Sequence, residues 1–262
     1  MFPLLNPNLS VPFFSVSLLL SYFPQTCLLP SCSIPGNIPE IPMELVFVID
    51  SSESVGPENF EIIKDFVTAL VDRVTVGRNA TRIGLVLYSL EVQLEFGLNK
   101  HTTQQDVKQA IRKMQYMGEG TYTGTAIRKA TQEGFLGART GVRKVAIVLT
   151  DGQADKREAV KLDIVVREAH AANIEMYAIG IVNTSDPTQA EFVHELNLIA
   201  SDPDREHMYL IDDFNTLPGA FTAVFSCTLS DDSQNRGKNR NVERLVYFFL
   251  EVRICIHLYI NN

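Results

Sequence analysis

Five residues, Asp50-Ser51-Ser52-Glu53-Ser54, follow an apolar run from Leu45 to Ile49. An acid and two hydroxyls at alternate positions put three hard oxygen donors on one side of a tight loop. Such a set suits a small divalent cation such as Mg²⁺, which takes oxygen ligands in near-octahedral geometry. Asp and Ser after a strand also make Asx turns or cap the next helix, so this stretch alone leaves both readings open. Two later segments carry matching chemistry. Thr121 and Thr123 lie in a glycine-rich run from Gly118 to Gly124, and Asp151-Gly152 ends the apolar run from Val145 to Leu149.

The elements that must position these residues alternate along the chain. Apolar runs predict strands over 44–50, 82–89, 144–150, 174–181 and 208–211. A further strand over 91–96 alternates Val92, Leu94 and Phe96 and follows its predecessor within two residues, so it should pair antiparallel as a hairpin. Apolar residues at helical spacing predict helices over 57–74, 103–117, 125–135, 157–172, 188–201 and 214–225. Pro57 suits the first turn of the first helix, and Thr102 or Thr103 caps the second. Strands apolar throughout and alternating with helices argue for an α/β fold. It is a doubly wound, mostly parallel sheet with one short antiparallel edge strand and helices on both faces. Ligands in such sheets bind beyond the carboxyl ends of the strands at the topological switch point.

Composition bounds the rest. The chain has 262 residues, enough for one α/β domain of roughly 180–200 residues with tails. We assign the domain to 43–227. Residues 1–42 are apolar and proline-rich and read as a leader or degraded signal region, with no Lys or Arg to form a positive n-region. Residues 228–262 run from polar to apolar, are too charged for a membrane span, and read as disordered or as a gene-model artefact. A net charge of −8 argues against nucleic acid as the main partner, since phosphate binding needs a basic face. Four cysteines, Cys27, Cys32, Cys227 and Cys255, all flank the domain. That arrangement favours a Cys32–Cys227 staple joining its ends in an oxidising compartment, with unpaired thiols in the tails as the alternative. Asn8, Asn79 and Asn183 begin glycosylation sequons, which matter in a secreted chain.

In a doubly wound sheet the first strand and the next parallel strand across the switch point are neighbours. Asp50 and Asp151 should therefore meet at the crevice, with Ser52, Ser54 and the glycine loop beside them. Two carboxylates so placed repel one another and lose solvation, and a divalent cation relieves both costs. His101, His170, His194, His207 and His257 show no metal-binding spacing. Neither a nucleophile elbow nor a phosphate-binding loop occurs. Lys156 and Arg157 near this edge are candidates for steering an acidic partner, and Glu119 for tuning affinity, although a plain solvated surface charge is the default reading of all three.

Asp50-x-Ser52-x-Ser54, then Thr121 in a glycine loop, then Thr150-Asp151-Gly152 resemble the metal-ion-dependent adhesion site of von Willebrand factor type A domains. The resemblance covers about residues 43–227. The wording from Phe47 to Gly56 and from Arg143 to Gln153 is most similar to the matrix-protein branch, the matrilins and the collagens bearing this domain, a type XXVIII-like collagen chain among them. The resemblance implies roles. Ser52 and Ser54 bind the metal through their hydroxyls, and Thr121 binds directly or through water. Asp50 and Asp151 sit farther out and hold coordinating waters, and a partner's acidic side chain completes the octahedron. It also favours Thr121 over Thr123, leaving Thr123 as a helix cap.

The resemblance further implies Mg²⁺, or Mn²⁺ or Ca²⁺, as cofactor, and collagens or other matrix glycoproteins as partners. It implies secretion to the extracellular matrix, no enzymatic activity, and oligomers formed through regions outside this chain. One alternative is an assembly module with an unused metal site. Another is a metal-dependent hydrolase, but Asp50 is followed by hydroxyls rather than by the nucleophile or general base that hydrolysis needs.

Overall fold

The computed structural model describes residues 42–183 and 186–217. Six strands form one sheet: β1 (Met43–Asp50), β2 (Arg82–Tyr88), β3 (Val92–Phe96), β4 (Arg143–Thr150), β5 (Ile174–Ile181) and β6 (Met208–Ile211), in the order β3-β2-β1-β4-β5-β6. Every pairing is parallel except β2 with β3. The predicted doubly wound sheet with its antiparallel edge strand is therefore the observed one. The order reverses between β1 and β4, so the carboxyl ends of these two strands flank the crevice.

All eight residues of β1 are buried, which explains its unbroken apolar run. Its alternate side chains feed two cores. Leu45, Phe47 and Ile49 pack with Phe60, Ile63 and Phe66 of α1 (Gly56–Val71) and with Val107 and Ile111 of α2 (Gln104–Lys113). Val46 and Val48 pack with Ala126 and Ile127 of α3 (Thr123–Lys129), Val165 of α4 (Leu162–Ala171) and Phe192 of α5 (Ala190–Ile199). Each fully buried Phe, Leu or Ile contributes about 1.5–3 kcal/mol. Helices thus cover both faces.

Several helices differ from their sequence pattern, and tertiary contacts give the reason. The helix read over 103–117 begins after Thr103, whose hydroxyl accepts the Asp106 N–H at 3.1 Å. It stops at Lys113 because Met114 turns extended. Residues 116 and 117 then bind the loop after β1: the Tyr116 hydroxyl donates to the Ser52 carbonyl, and the Met117 N–H donates to Ser51 Oγ. The helix read over 157–172 begins only at Leu162, since Glu158 is drawn into a contact with α3. The helix read over 125–135 starts two residues earlier and runs into a π-helical turn, Ala130–Gly134. The helix read over 188–201 is a short 3-10 turn, Pro187–Gln189, followed by α5. A short helix α6 (Asp204–His207) was not anticipated. Most of the helix read over 214–225, all four cysteines, Asn8 and His257 lie outside the described residues.

At the amino end of the sheet, Glu44 is fully buried. Its carboxylate accepts from Arg82 Nε at 2.8 Å, and from the backbone N–H and Nε of Arg139 at 3.0 and 2.7 Å. One acid thereby ties the starts of β1 and β2 to the segment before β4.

Candidate metal centre

Asp50 ends β1, and Asp151 follows β4 directly. The Asp50 carboxylate is fully buried, and both of its oxygens are engaged. One accepts the Ser52 N–H at 2.8 Å, an Asx turn, and the other accepts the Thr150 hydroxyl at 2.7 Å. The turn fixes the loop so that Ser52 and Ser54 project from it. Their hydroxyl oxygens lie 3.0 Å apart, and Ser54 Oγ donates to Asp151 Oδ1 at 2.7 Å. Asp50, Ser52, Ser54 and Asp151 thus form one connected polar group at the crevice.

The third arm is held by its backbone. Gly118 N–H donates to the Ser51 carbonyl at 2.9 Å, and Tyr122 N–H donates to the Ser89 carbonyl at 2.9 Å. The Thr121 carbonyl accepts the Asp155 N–H at 2.9 Å, which ties this loop to the one that carries Asp151. Gly120 is required here. Its φ is +79°, and a Cβ would lie 2.9 Å from Leu90 Cβ. Thr123 is not a cap: Tyr122 occupies the N-cap position. Thr123 is buried, and its hydroxyl donates at 3.4 Å to the Tyr88 hydroxyl.

The electrostatics follow from this crowding. Burial, and then the charge of Asp151, push the Asp50 carboxyl up to about 6. Burial raises Asp151 as well, against the pull of the Ser54 hydroxyl. The two acids therefore resist ionising together. A cation beside them reverses that penalty, and with the Ser54 proton on Asp151 and the Ser52 proton toward Ser54, both hydroxyl oxygens keep a lone pair for a hard ion. By this donor chemistry the residues fit a divalent cation. Among the described residues no group of three or more His, Cys, Asp or Glu is arranged to hold a metal. The candidate set here is of another kind, two acids and three hydroxyls.

Sequence reading quoted Ser51 and Thr150 within their motifs but gave them no role, and it missed Tyr88, Tyr116 and Glu158. The signal at Thr150 was a hydroxyl closing an otherwise apolar strand; the three missed residues carried none. Arg157 is engaged by Asp155 through its Nε at 3.0 Å and remains exposed. Glu119 is exposed. Three histidines have local partners: His207 bonds to Glu175 at 2.9 Å, His170 to Ser201 at 3.3 Å, and His101 stacks on Phe96 edge to face. Asn79 and Asn183 are exposed, but the last two residues of the second sequon lie outside the described set.

Comparison with known proteins gives consistent matches. Residues 44–223 match the family model described as von Willebrand factor type A domain. Human matrilin-1 is 38% identical over 177 residues, covering 66% of this chain and 34% of that protein. Mouse matrilin-2 is 39% identical over 184 residues, covering 68% of this chain and 18% of that protein. The chain thus spans about a third of the first relative's length and less than a fifth of the second's. Among solved structures, proximal thread matrix protein 1 from the mussel byssus superposes with a TM-score of 0.60 at 25% identity, over 72% of this chain and 46% of that one. A form of the mussel protein with a zinc-occupied MIDAS motif gives 0.58 at 24% identity, over 83% and 60%. Among the described residues, no helix is long and apolar enough to cross a membrane.

Proposed function

The chain belongs to the von Willebrand factor type A domain family, and on that footing we propose that it is an adhesion module of an extracellular matrix protein. It binds protein partners through a divalent cation at the β1–β4 crevice. The observation that carries this reading is the pair Asp50 and Asp151, joined through Ser54 and Ser52 and pushed toward the neutral form by burial, with the charge of Asp151 adding to the shift of Asp50. Such a pair is costly without a cation and favourable with one.

Ser52 and Ser54 would hold the ion by their hydroxyl oxygens, and Thr121 directly or through water. Asp50 and Asp151 would orient coordinating waters. Asp50 is kept in place for this by the Ser52 N–H and the Thr150 hydroxyl, and Asp151 takes the Ser54 proton, which turns the Ser54 lone pairs outward. A bound cation supplies a Lewis-acidic position for a carboxylate of the partner. We propose Mg²⁺, with Mn²⁺ and Ca²⁺ as alternatives. The zinc in the MIDAS motif of the mussel protein makes zinc a fourth ion worth titrating.

The partners we propose are collagens or other matrix glycoproteins, and the setting is the secreted matrix. The role is binding rather than catalysis. The domain would run over 43–227, closed by Cys32–Cys227, with glycans at Asn79 and Asn183. Oligomers would form through regions outside this chain.

The test is retention of matrix glycoproteins and collagens by the immobilised chain. Retention in Mg²⁺ should disappear with chelator and with Asp151→Ala. Equal retention in chelator would remove the adhesion-site reading and favour an assembly module whose metal site is unused.

A further inference from the structure

The loop from Gly152 to Lys161 is joined to the Thr121 loop by a buried acid that has no partner charge among the described residues. Glu158 is 6% exposed. One oxygen of its carboxylate accepts the Gly124 N–H at 3.1 Å, and the other accepts the Thr125 N–H. These amides belong to the first turn of α3, where helices leave N–H groups unsatisfied. The N-cap residue, Tyr122, supplies no side-chain bond. Glu158 therefore caps α3 from a distant segment, with its negative charge at the favourable end of the helix dipole. Two other contacts seat the same junction. Asp155 N–H donates to the Thr121 carbonyl, and the Gly124 Cα lies so close to the loop that a Cβ would meet the Val160 carbonyl at 3.1 Å and Glu158 Oε1 at 3.2 Å.

We propose that Glu158 is a positioning residue for the metal centre, setting where Thr121 stands relative to Asp151. This inference rests on the metal-site reading above. The physical reason is geometric. Thr121 lies two residues before the helix that Glu158 grips, and Asp151 lies seven residues before Glu158 itself. Two arms that carry ligands are thus locked at one buried point, and their separation is fixed without any ion present. Outer contacts that orient ligating groups commonly govern metal affinity by roughly 10–100-fold. Mg²⁺ pulls strongly toward a near-ideal octahedron, so a displaced Thr121 is penalised more for Mg²⁺ than for the larger and more tolerant Ca²⁺.

The experiment compares the full chain with Glu158→Gln, which keeps the side-chain length and one acceptor but turns an amide group toward the second N–H. Mg²⁺ and Ca²⁺ affinities are measured by calorimetry at a temperature where each protein is folded. Amide exchange at Gly124 and Thr125 is followed in chelator. Faster exchange at both amides is expected, with Mg²⁺ affinity lower by about tenfold and Ca²⁺ affinity lower by less. Gly124→Ala disturbs the same junction with Glu158 intact and should weaken Mg²⁺ in the same direction, which keeps the test available if Glu158→Gln does not fold. Glu44→Ala, at the far end of the sheet, controls for lost stability and should leave Mg²⁺ affinity unchanged. Mg²⁺ affinity within twofold of the unaltered chain in the folding variants would overturn the inference and leave the metal-site reading standing. Failure of the unaltered chain to bind any of the ions would remove both.

Discussion

At pH 7.5 in chelator, Asp50→Asn is expected to melt several degrees above the unaltered chain, and in saturating Mg²⁺ the advantage is expected to vanish. The folded carboxyl titrates at about 6 against an ordinary value of 3.8. The folded state therefore holds the proton more tightly than the unfolded one. Stability from this group is complete below pH 4 and is lost as pH rises through 6. The difference corresponds to about 3 kcal/mol at most, or roughly 2–4 °C per kcal/mol for a domain of this size.

Asparagine removes the charge and can keep the contacts. Its oxygen accepts the Ser52 N–H, and its amide donates to Thr150 Oγ. The Thr150 proton then turns to the Gly152 carbonyl, already 3.2 Å away. Thermal melts of both proteins between pH 4.5 and 7.5, with and without Mg²⁺, check this. In metal the unaltered chain should gain about 2.7 kcal/mol at a hundredfold excess over Kd, and the variant should gain little. A variant that melts lower in chelator at pH 7.5 would mean that Asp50 stabilises the metal-free fold.

Glu44→Ala is expected to cost about 3–5 kcal/mol, in Mg²⁺ and in chelator alike, because it strands two guanidinium groups around a buried site. Burial opposes ionisation of Glu44, but hydrogen bonds from Arg82 and Arg139 more than offset it and leave its carboxyl below the ordinary value. Its stabilisation is therefore present above the ordinary carboxylate range and lost as pH falls through the lowered one. Denaturant titration at pH 7 measures the loss. A loss below about 1 kcal/mol would mean that Arg82 and Arg139 find solvent readily. Glu44 and Asp50 lie at opposite ends of the same strand. One acid stabilises the fold, while the other is held against its own cost in stability. That contrast is what a binding site embedded in a rigid sheet requires.

The strands were legible because a parallel sheet covered on both faces demands continuous apolar runs, as in Val46 to Ile49 and Val145 to Leu149. The meeting of Asp50 with Asp151 followed from strand order alone. Helix ends were less legible. Residues 157–161 have a helical pattern, yet Glu158 gains more from two amides of α3 than from its own turn, and nothing local records that choice. Tyr116 and Met117 likewise leave their helical register to bind Ser52 and Ser51. At Asp50 the Asx turn is the observed structure, one carboxylate oxygen accepting the Ser52 N–H, and the proposed metal arm is compatible with that turn. Tyr88 was read only as part of an apolar strand, although its buried hydroxyl accepts from Thr123 at the start of α3.

Anomalous diffraction from crystals of the chain grown with Mn²⁺ tests the metal centre most directly. A single peak is expected at the β1–β4 crevice, at direct-coordination distance, roughly 2–2.6 Å, from the hydroxyl oxygens of Ser52 and Ser54. The carboxylates of Asp50 and Asp151 should lie farther out. A crevice without a peak, or a peak ligated by other groups, would contradict the assignment.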